Sequence, residues 1–301
     1  SMKQWKKNML IAAGGLLAVG VIFCGIGLAT GAKSVNYHNG KITIGDKLMG
    51  STSFSSQNIA DILPLKEKQT ISLSGQKISS IDCDDGLQSD VTIQQGNDWE
   101  ISYQLAMPER FSYQIDDQEL KLSYKRPANT GTDQSENITI TVPKGTSLED
   151  VDLSSSMGDL LIQDISCKEL HLDSSLGDVS LKNLSAGELD LSGSLGDITT
   201  EGITVSNKVS VDGSMGNITL DGTLLCDIDI SGGMGDTELI LHGASVGDYD
   251  YDVDCSMGDV HIDGADVSSE MMGGSYQKDN GQDREIHANG GMGDIKIQFQ
   301  K

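Results

Sequence analysis

Ser174-Ser175-Leu176-Gly177-Asp178 and Gly193-Ser194-Leu195-Gly196-Asp197 are two statements of one phrase set 19 residues apart, and that repetition decides the fold. The phrase recurs on both sides of this pair. It reads Ser155-Ser156-Met157-Gly158-Asp159 before it, and Gly213-Ser214-Met215-Gly216-Asn217 and Gly232-Gly233-Met234-Gly235-Asp236 after it. Cys255-Ser256-Met257-Gly258-Asp259 and Gly290-Gly291-Met292-Gly293-Asp294 complete the set. Successive glycines lie 19, 19, 20, 19, 23 and 35 residues apart. A period near 19 marks a repeat architecture, in which each unit is too small to bury its own apolar face and must stack on its neighbours. The two long spacings read as ordinary repeats carrying insertions, the larger at Ser268–Asp283.

Within each repeat the apolar residues alternate. Leu160/Ile162, Val179/Leu181, Ile218/Leu220, Val260/Ile262 and Ile295/Ile297 follow the glycines. About ten residues later come Leu170/Leu172, Leu189/Leu191, Val209/Val211 and Ile228/Ile230. Period two with one apolar face means strands. The expected fold is therefore all-β, a parallel β-solenoid with about 19 residues and two short strands per rung. Met and Leu before each glycine are expected to form an inward column, since they fill irregular corners. The glycine is expected at φ > 0. The acid after it, stacked roughly 4.8 Å from its equivalents, has two readings. It is a turn group bonding backbone N–H, or one step of a cation ladder. Asn217 can accept the hydrogen bond but supplies no charge, which favours the first.

Residues 70–150 lack the phrase but carry strand-like pieces at Ile71–Leu73, Val91–Ile93, Trp99–Tyr103, Phe111–Ile115, Leu120–Tyr124 and Ile138–Val142, with a polar loop at Asn129–Glu136. They read as degenerate first rungs that cap an otherwise open edge. The run Ile138-Thr139-Ile140-Thr141-Val142-Pro143-Lys144-Gly145, then Leu148-Glu149-Asp150-Val151-Asp152-Leu153, then the Gly-Asp repeats, resembles the putative-adhesin family of β-strand-repeat domains of unknown function. The whole arrangement is similar to the membrane-anchored form found in Lia-type envelope-stress operons. That resemblance implies the fold and a place at the cell envelope, and it supplies no catalytic residue.

Met9 to Ala32 contains no charged residue and is long enough to cross about 30 Å of hydrocarbon as a helix. Lys3, Lys6 and Lys7 precede it, so the positive-inside rule puts residues 1–8 in the cytoplasm and everything after Lys33 outside. A cleaved signal peptide is the competing reading, with Thr30-Gly31-Ala32 as its site. Phe23 before Cys24 does not fit a lipoprotein cleavage box. The layout read from sequence is a cytoplasmic tip at 1–8, a transmembrane anchor at 9–32 and a tether at 33–69 with a short strand at Lys41–Ile44. An irregular β part follows at 70–150, then regular repeats at 151–301 with an insertion near 268–283.

Three of the 21 basic residues precede the apolar run and all 45 acidic ones follow it, so residues 33–301 stand at −27. That charge repels nucleic acid. Cys83, Cys167, Cys226 and Cys255 show no close pair for zinc or redox chemistry. Cys167 and Cys226 take similar places in the first and fourth repeats, about 14 Å apart at rung spacing, so they read as buried thiols. His38, His171, His242, His261 and His287 are scattered, and no nucleophile elbow or His-Glu-x-x-His occurs. Acid pairs such as Asp84/Asp85, Asp116/Asp117 and Asp250/Asp252 read as solvated surface in so acidic a chain. Arg110, Arg126 and Arg284 are too few to mark a sugar-acid site. No catalytic, cofactor or metal residue is assigned. The expected role is a non-catalytic envelope module, scaffold or stress-response accessory, that binds a protein or envelope component. An adhesin for an external ligand is the alternative; a calcium-binding repeat or a polysaccharide-acting enzyme stands behind both.

Overall fold

A computed structural model describes residues 35–38, 41–44, 61–128, 130–267 and 273–300. The expected membrane helix at 9–32 lies outside the described residues; among those described, no helix is long and apolar enough to cross a membrane. The chain divides into Ser1–Ile59 and Ala60–Lys301. The first unit contains an antiparallel hairpin of Val35–His38 with Lys41–Ile44.

The second unit is all-β. Its only helical segments among the described residues are the 3-10 turns Pro108–Arg110 and Val246–Asp248. Each repeat contributes one strand to each of two facing walls. After the glycine, strands such as Leu160–Gln163 and Val179–Lys182 pair in parallel, residue for residue at the repeat period. The second strands, Ser166–Leu176 and Ser185–Leu195, do the same across the core. Inward residues of both walls are buried aliphatics, for example Ile162, Leu181, Leu172 and Leu191. Two strands per rung were expected. A short third side is present as well, in which Ser166-Cys167 stacks on Ser185-Ala186 and that on Thr204-Val205. The corner leading into it is made at Asp164, Asn183 and Gly202, all at φ between 47° and 64°. Asp and Asn tolerate that left-handed conformation better than other side chains.

The first rung is Ser80–Leu87 with Asp90–Gly96, which pair with Ser147–Ser155 and Leu160–Gln163. Below it the wall strands change direction. Asn137–Pro143 pairs in parallel with Asp90–Gly96 but antiparallel with Glu100–Gln104. Ser112–Asp116 and Glu119–Ser123 close the other wall as a hairpin whose turn residues, Asp117 and Gln118, both have positive φ. The polar stretch before Glu136 is tied down: Thr130–Thr132 pairs in parallel with Asp61–Leu63.

At the other end the rungs do not stack in sequence order. The last repeat, Glu285–Met292 with Ile295–Gln300, lies between the fifth and sixth. It pairs with Asp227–Met234 and Thr237–His242 on one side and with Asp250–Met257 and Val260–Ile262 on the other. The insertion lets the chain double back. Gly274–Lys278 adds antiparallel to the outer edge of Asp250–Met257, and Ala265–Asp266 to that of Val260–Ile262. The exposed edge is thus covered by reversed strands.

Candidate interaction surface

The seven phrase glycines fold as required at φ between 124° and 147°. A second constraint also holds there. A Cβ on Gly177, Gly196 or Gly216 would lie 2.0–2.2 Å from the carbonyl oxygen of the glycine one rung below, so backbones approach too closely for any side chain.

The acids form a continuous hydrogen-bonded ladder. The N–H of Asp178 donates to Asp159 Oδ1 at 2.8 Å, that of Asp197 to Asp178 at 2.8 Å, and that of Asn217 to Asp197 at 2.7 Å. Asp236 donates to Asn217 Oδ1 at 3.0 Å, Asp294 to Asp236 at 2.9 Å and Asp259 to Asp294 at 3.0 Å. The bond is to the next rung, not to the acid's own turn, so each side chain welds two layers. The ladder starts one rung earlier than the phrase: Asp159 N–H donates to Asp90 Oδ1 at 2.9 Å. Sequence reading missed Asp90 because Ser89 replaces the glycine. The alternating Val91/Ile93 directly after it is the signal that could have found it.

The inward Met/Leu column expected from sequence is corrected. Met157, Leu176, Leu195, Met215, Met234, Met257 and Met292 are 39–49% exposed. Inward parity explains why. On the strand before the corner Leu170, Leu172 and Ser174 point in, and after it Val179 and Leu181 do, so parity switches from even to odd across Leu176-Gly177. The residues at the switch are turned out. Rung register then aligns them into one stripe, with Leu176 against Leu195, Leu195 against Met215, Met215 against Met234, Met234 against Met292, and Met292 against Met257.

The two walls differ outside. The wall containing Ser166–Leu176 presents in-register rows such as Asp152–His171–Asp190 and Asp150–Glu169–Glu188. The opposite wall shows Ser180, Thr199 and Thr219 in one row. On the acidic wall His171 lies 3.5 Å from Asp190 and 3.7 Å from Glu169, and His287 lies 3.2 Å from Asp252. Asp150, Glu169 and His171 bring ligand-type atoms within 4.8 Å of one another, the one such group among the described residues. Burial pushes the Asp150 carboxyl above its usual range. His171 meets acids on two rungs, and this polar knot joins neighbouring strands.

At the foot of the stack a polar cleft of about 420 Å³ is lined by Ser89, Asp90, Arg126, Glu136 and Met157 among others. Its wall is a buried pair: Arg126 Nε lies 2.7 Å from Glu136 Oε2. Glu136 Oε1 also accepts from the Ala106 N–H at 2.7 Å and from the Tyr124 hydroxyl, whose pKa is raised by burial and by this carboxylate.

The four cysteines of the second unit are buried, and Cys167, Cys226 and Cys255 are free thiols. One detail of the reading from sequence is corrected: the rung equivalent of Cys167 is Ala186, then Val205, then Leu224, so Cys226 lies two residues past that column. A one-residue contraction at Leu220/Gly222 against Thr200/Ile203 shifts the count.

The Toastrack DUF4097 profile matches residues 78–236, which begins at the first rung and ends at the fifth Gly-Asp corner. The chain belongs to the Toastrack DUF4097 family. Among solved structures, a putative adhesin from Bacteroides fragilis matches at 17% identity and TM-score 0.45, over 77% of this chain and 97% of that one. A putative cell adhesion protein from Clostridium sporogenes matches at 12% identity and TM-score 0.38, over 78% and 99%. A putative adhesin from Parabacteroides merdae does so at 14% and 0.39, over 79% and 99%. No curated protein matches the chain. The Toastrack stack as a whole offers long aligned rows of surface residues. The corner ladder and the Met/Leu stripe are its most regular features.

Proposed function

We propose that this Toastrack protein is a non-catalytic interaction module of the cell envelope, a parallel β-solenoid held at the outer face of the cytoplasmic membrane by the apolar segment Met9–Ala32. The observation that carries this reading is the rung register, which holds residue for residue along the walls apart from local shifts at Leu153/Ser155, Ala186/Glu188 and Thr200/Ile203. It converts each repeat position into a row, so the second unit offers broad, rigid walls of fixed chemistry and gathers its polar groups into lines. A partner meeting such a wall makes the same contact many times over, which suits an envelope scaffold or stress-response accessory. The tether also favours a near partner: the second unit begins at Ala60, and the residues from Lys33 up to it reach roughly 90 Å only when fully stretched.

Topology is tested by adding protease to intact, wall-stripped cells, which should digest or release the repeats; full protection of the repeats would refute the placement. Partner class is tested by covalent cross-linking in intact cells. Capture of components of the same membrane supports the scaffold. Capture of an external ligand would replace it with the adhesin reading.

A further inference from the structure

The stripe turned out at the glycine corner has a chemical setting that selects its partner. Six side chains of Met or Leu follow one another up the rungs from Leu176 to Met257, and Met157 extends the line at its foot. At roughly 4.8 Å per rung the stripe runs about 29 Å. Acid lies along one of its borders at nearly every step and along the other at intervals. Two residues after each Met or Leu stands a member of the Asp ladder, with Asn217 the one neutral step. Three residues before, on the acidic wall, the exposed carboxylates Asp173, Asp212 and Asp254 flank Leu176, Met215 and Met257, and Ser154, Ser192, Ser231 and Asn289 take the same place beside the others.

The ladder charges are not neutralised from within. Each bond the ladder acids make upward is to a backbone N–H, and among the described residues no Lys or Arg forms an ion pair with them. An apolar line bordered by acid in this way repels anionic lipid headgroups, and it repels a second copy of itself. Its complement has a narrow apolar face flanked by cations. An α-helix presents that pattern, with apolar residues at i, i+3, i+4 and i+7 and Lys or Arg beside them. Its 5.4 Å pitch runs close to the rung spacing, and about 19 residues at 1.5 Å each cover the stripe. Met is suited to such a surface because its flexible, polarizable side chain adapts to varied partners.

We infer that the glycine-corner stripe is a docking site for a cationic amphipathic helix. This inference rests on the reading of the protein as an interaction module and names the partner chemistry of one edge. The helix lays its apolar face on the Met/Leu line, and its cations reach the carboxylates on either border, as in helix-in-groove recognition.

The test uses the full chain in discs of zwitterionic lipid, with empty discs as the blank and chelator present throughout. The probe is a dye-labelled 18-residue Lys/Leu amphipathic helix, compared with a scrambled peptide of the same composition and a Glu/Leu counterpart. Two triple variants are compared with wild type: Leu195→Ser/Met215→Ser/Met234→Ser, and Asp178→Asn/Asp197→Asn/Asp236→Asn. All six sites are exposed, and Asn217 already shows that Asn sustains the ladder. Expected are a tenfold or greater loss of affinity in the Ser variant, and about fivefold loss with a flatter salt dependence in the Asn variant. The scrambled peptide should bind much more weakly and the Glu/Leu peptide not at all. Equal affinity of wild type and both variants, or of the scrambled peptide, would overturn the proposal in favour of diffuse charge attraction to the acidic wall. Binding of anionic vesicles lost only in the Ser variant would overturn it in favour of a lipid surface. Failure here together with membrane partners cross-linked on the hydroxyl-rich wall would remove the stripe's role and leave the interaction module standing.

Discussion

Gly177 and Asp178 divide the work of one corner between conformation and bonding. The glycine is needed twice over, for φ of 136° and because a Cβ there would lie 2.2 Å from the Gly158 carbonyl oxygen. Gly177→Ala should therefore cost about 2 kcal/mol or more, and Gly177→Val more still. Asp178 accepts the Asp197 N–H, a task the amide of Asn can perform. Asp178→Asn should leave the denaturation midpoint nearly unchanged, whereas Asp178→Ala should cost on the order of 1 kcal/mol. Melting each variant with calcium and with chelator checks the alternative: a calcium-specific stabilisation of wild type that both variants lose would make the ladder a metal site. The buried thiols titrate in a defined direction. Burial pushes Cys167 up to about 12 and Cys226 up to about 11, above the unfolded value. Between those limits the unfolded chain has lost thiol protons that the folded chain keeps, so stability should fall as pH rises above about 9. At neutral pH alkylation of both should be slow in the native protein and complete in denaturant. Rapid native labelling of Cys167 would contradict its burial.

The elements show how far sequence reading carries and where it stops. The repeat period and the strand alternation were legible because they are local properties of spacing. The direction of the corner residue was not legible from one strand alone. It depends on Leu172 and Val179 having opposite parity, so that something between them must leave the alternation. That count could have been made from the sequence. The reversal of strands below the first rung was less accessible, because parallel and antiparallel partners share the same alternation and only the register across the ladder distinguishes them. Nor did Glu136, in a stretch read as a polar loop, announce itself as the buried anchor of Arg126, Tyr124 and Ala106. Removing that carboxylate strands a buried guanidinium. Glu136→Ala should cost about 3–5 kcal/mol in chemical denaturation, while disrupting the exposed Lys168–Glu149 pair should leave the midpoint within error. Equal effects of the two changes would show that the base of the stack is not held by this pair.

At the scale of the whole second unit, rung order is the feature that sequence order conceals. The period predicts that the sixth phrase follows the fifth in space, but Met292 stands between Met234 and Met257. Ending the chain before Glu285 therefore does not shorten the stack by its outermost layer. It withdraws an inner one and leaves Asp227–Met234 and Asp250–Met257 each unpaired on one side. Such a truncation should abolish the single sharp thermal transition seen by circular dichroism and give aggregated material on gel filtration. A well-folded monomer only slightly less stable than the parent would disprove the intercalated order. The same placement bears on how the protein is made. A ribosome delivers the chain from the N-terminus, so a stack built in sequence order could solidify layer by layer as it emerged. Here residues 285–300 are made after residues 250–267 yet lie beneath them, so residues 250–267 must wait, unpaired on one side, until the later segment has emerged. Completion is deferred to the arrival of Glu285–Gln300, a keystone that converts a half-built stack into a finished one.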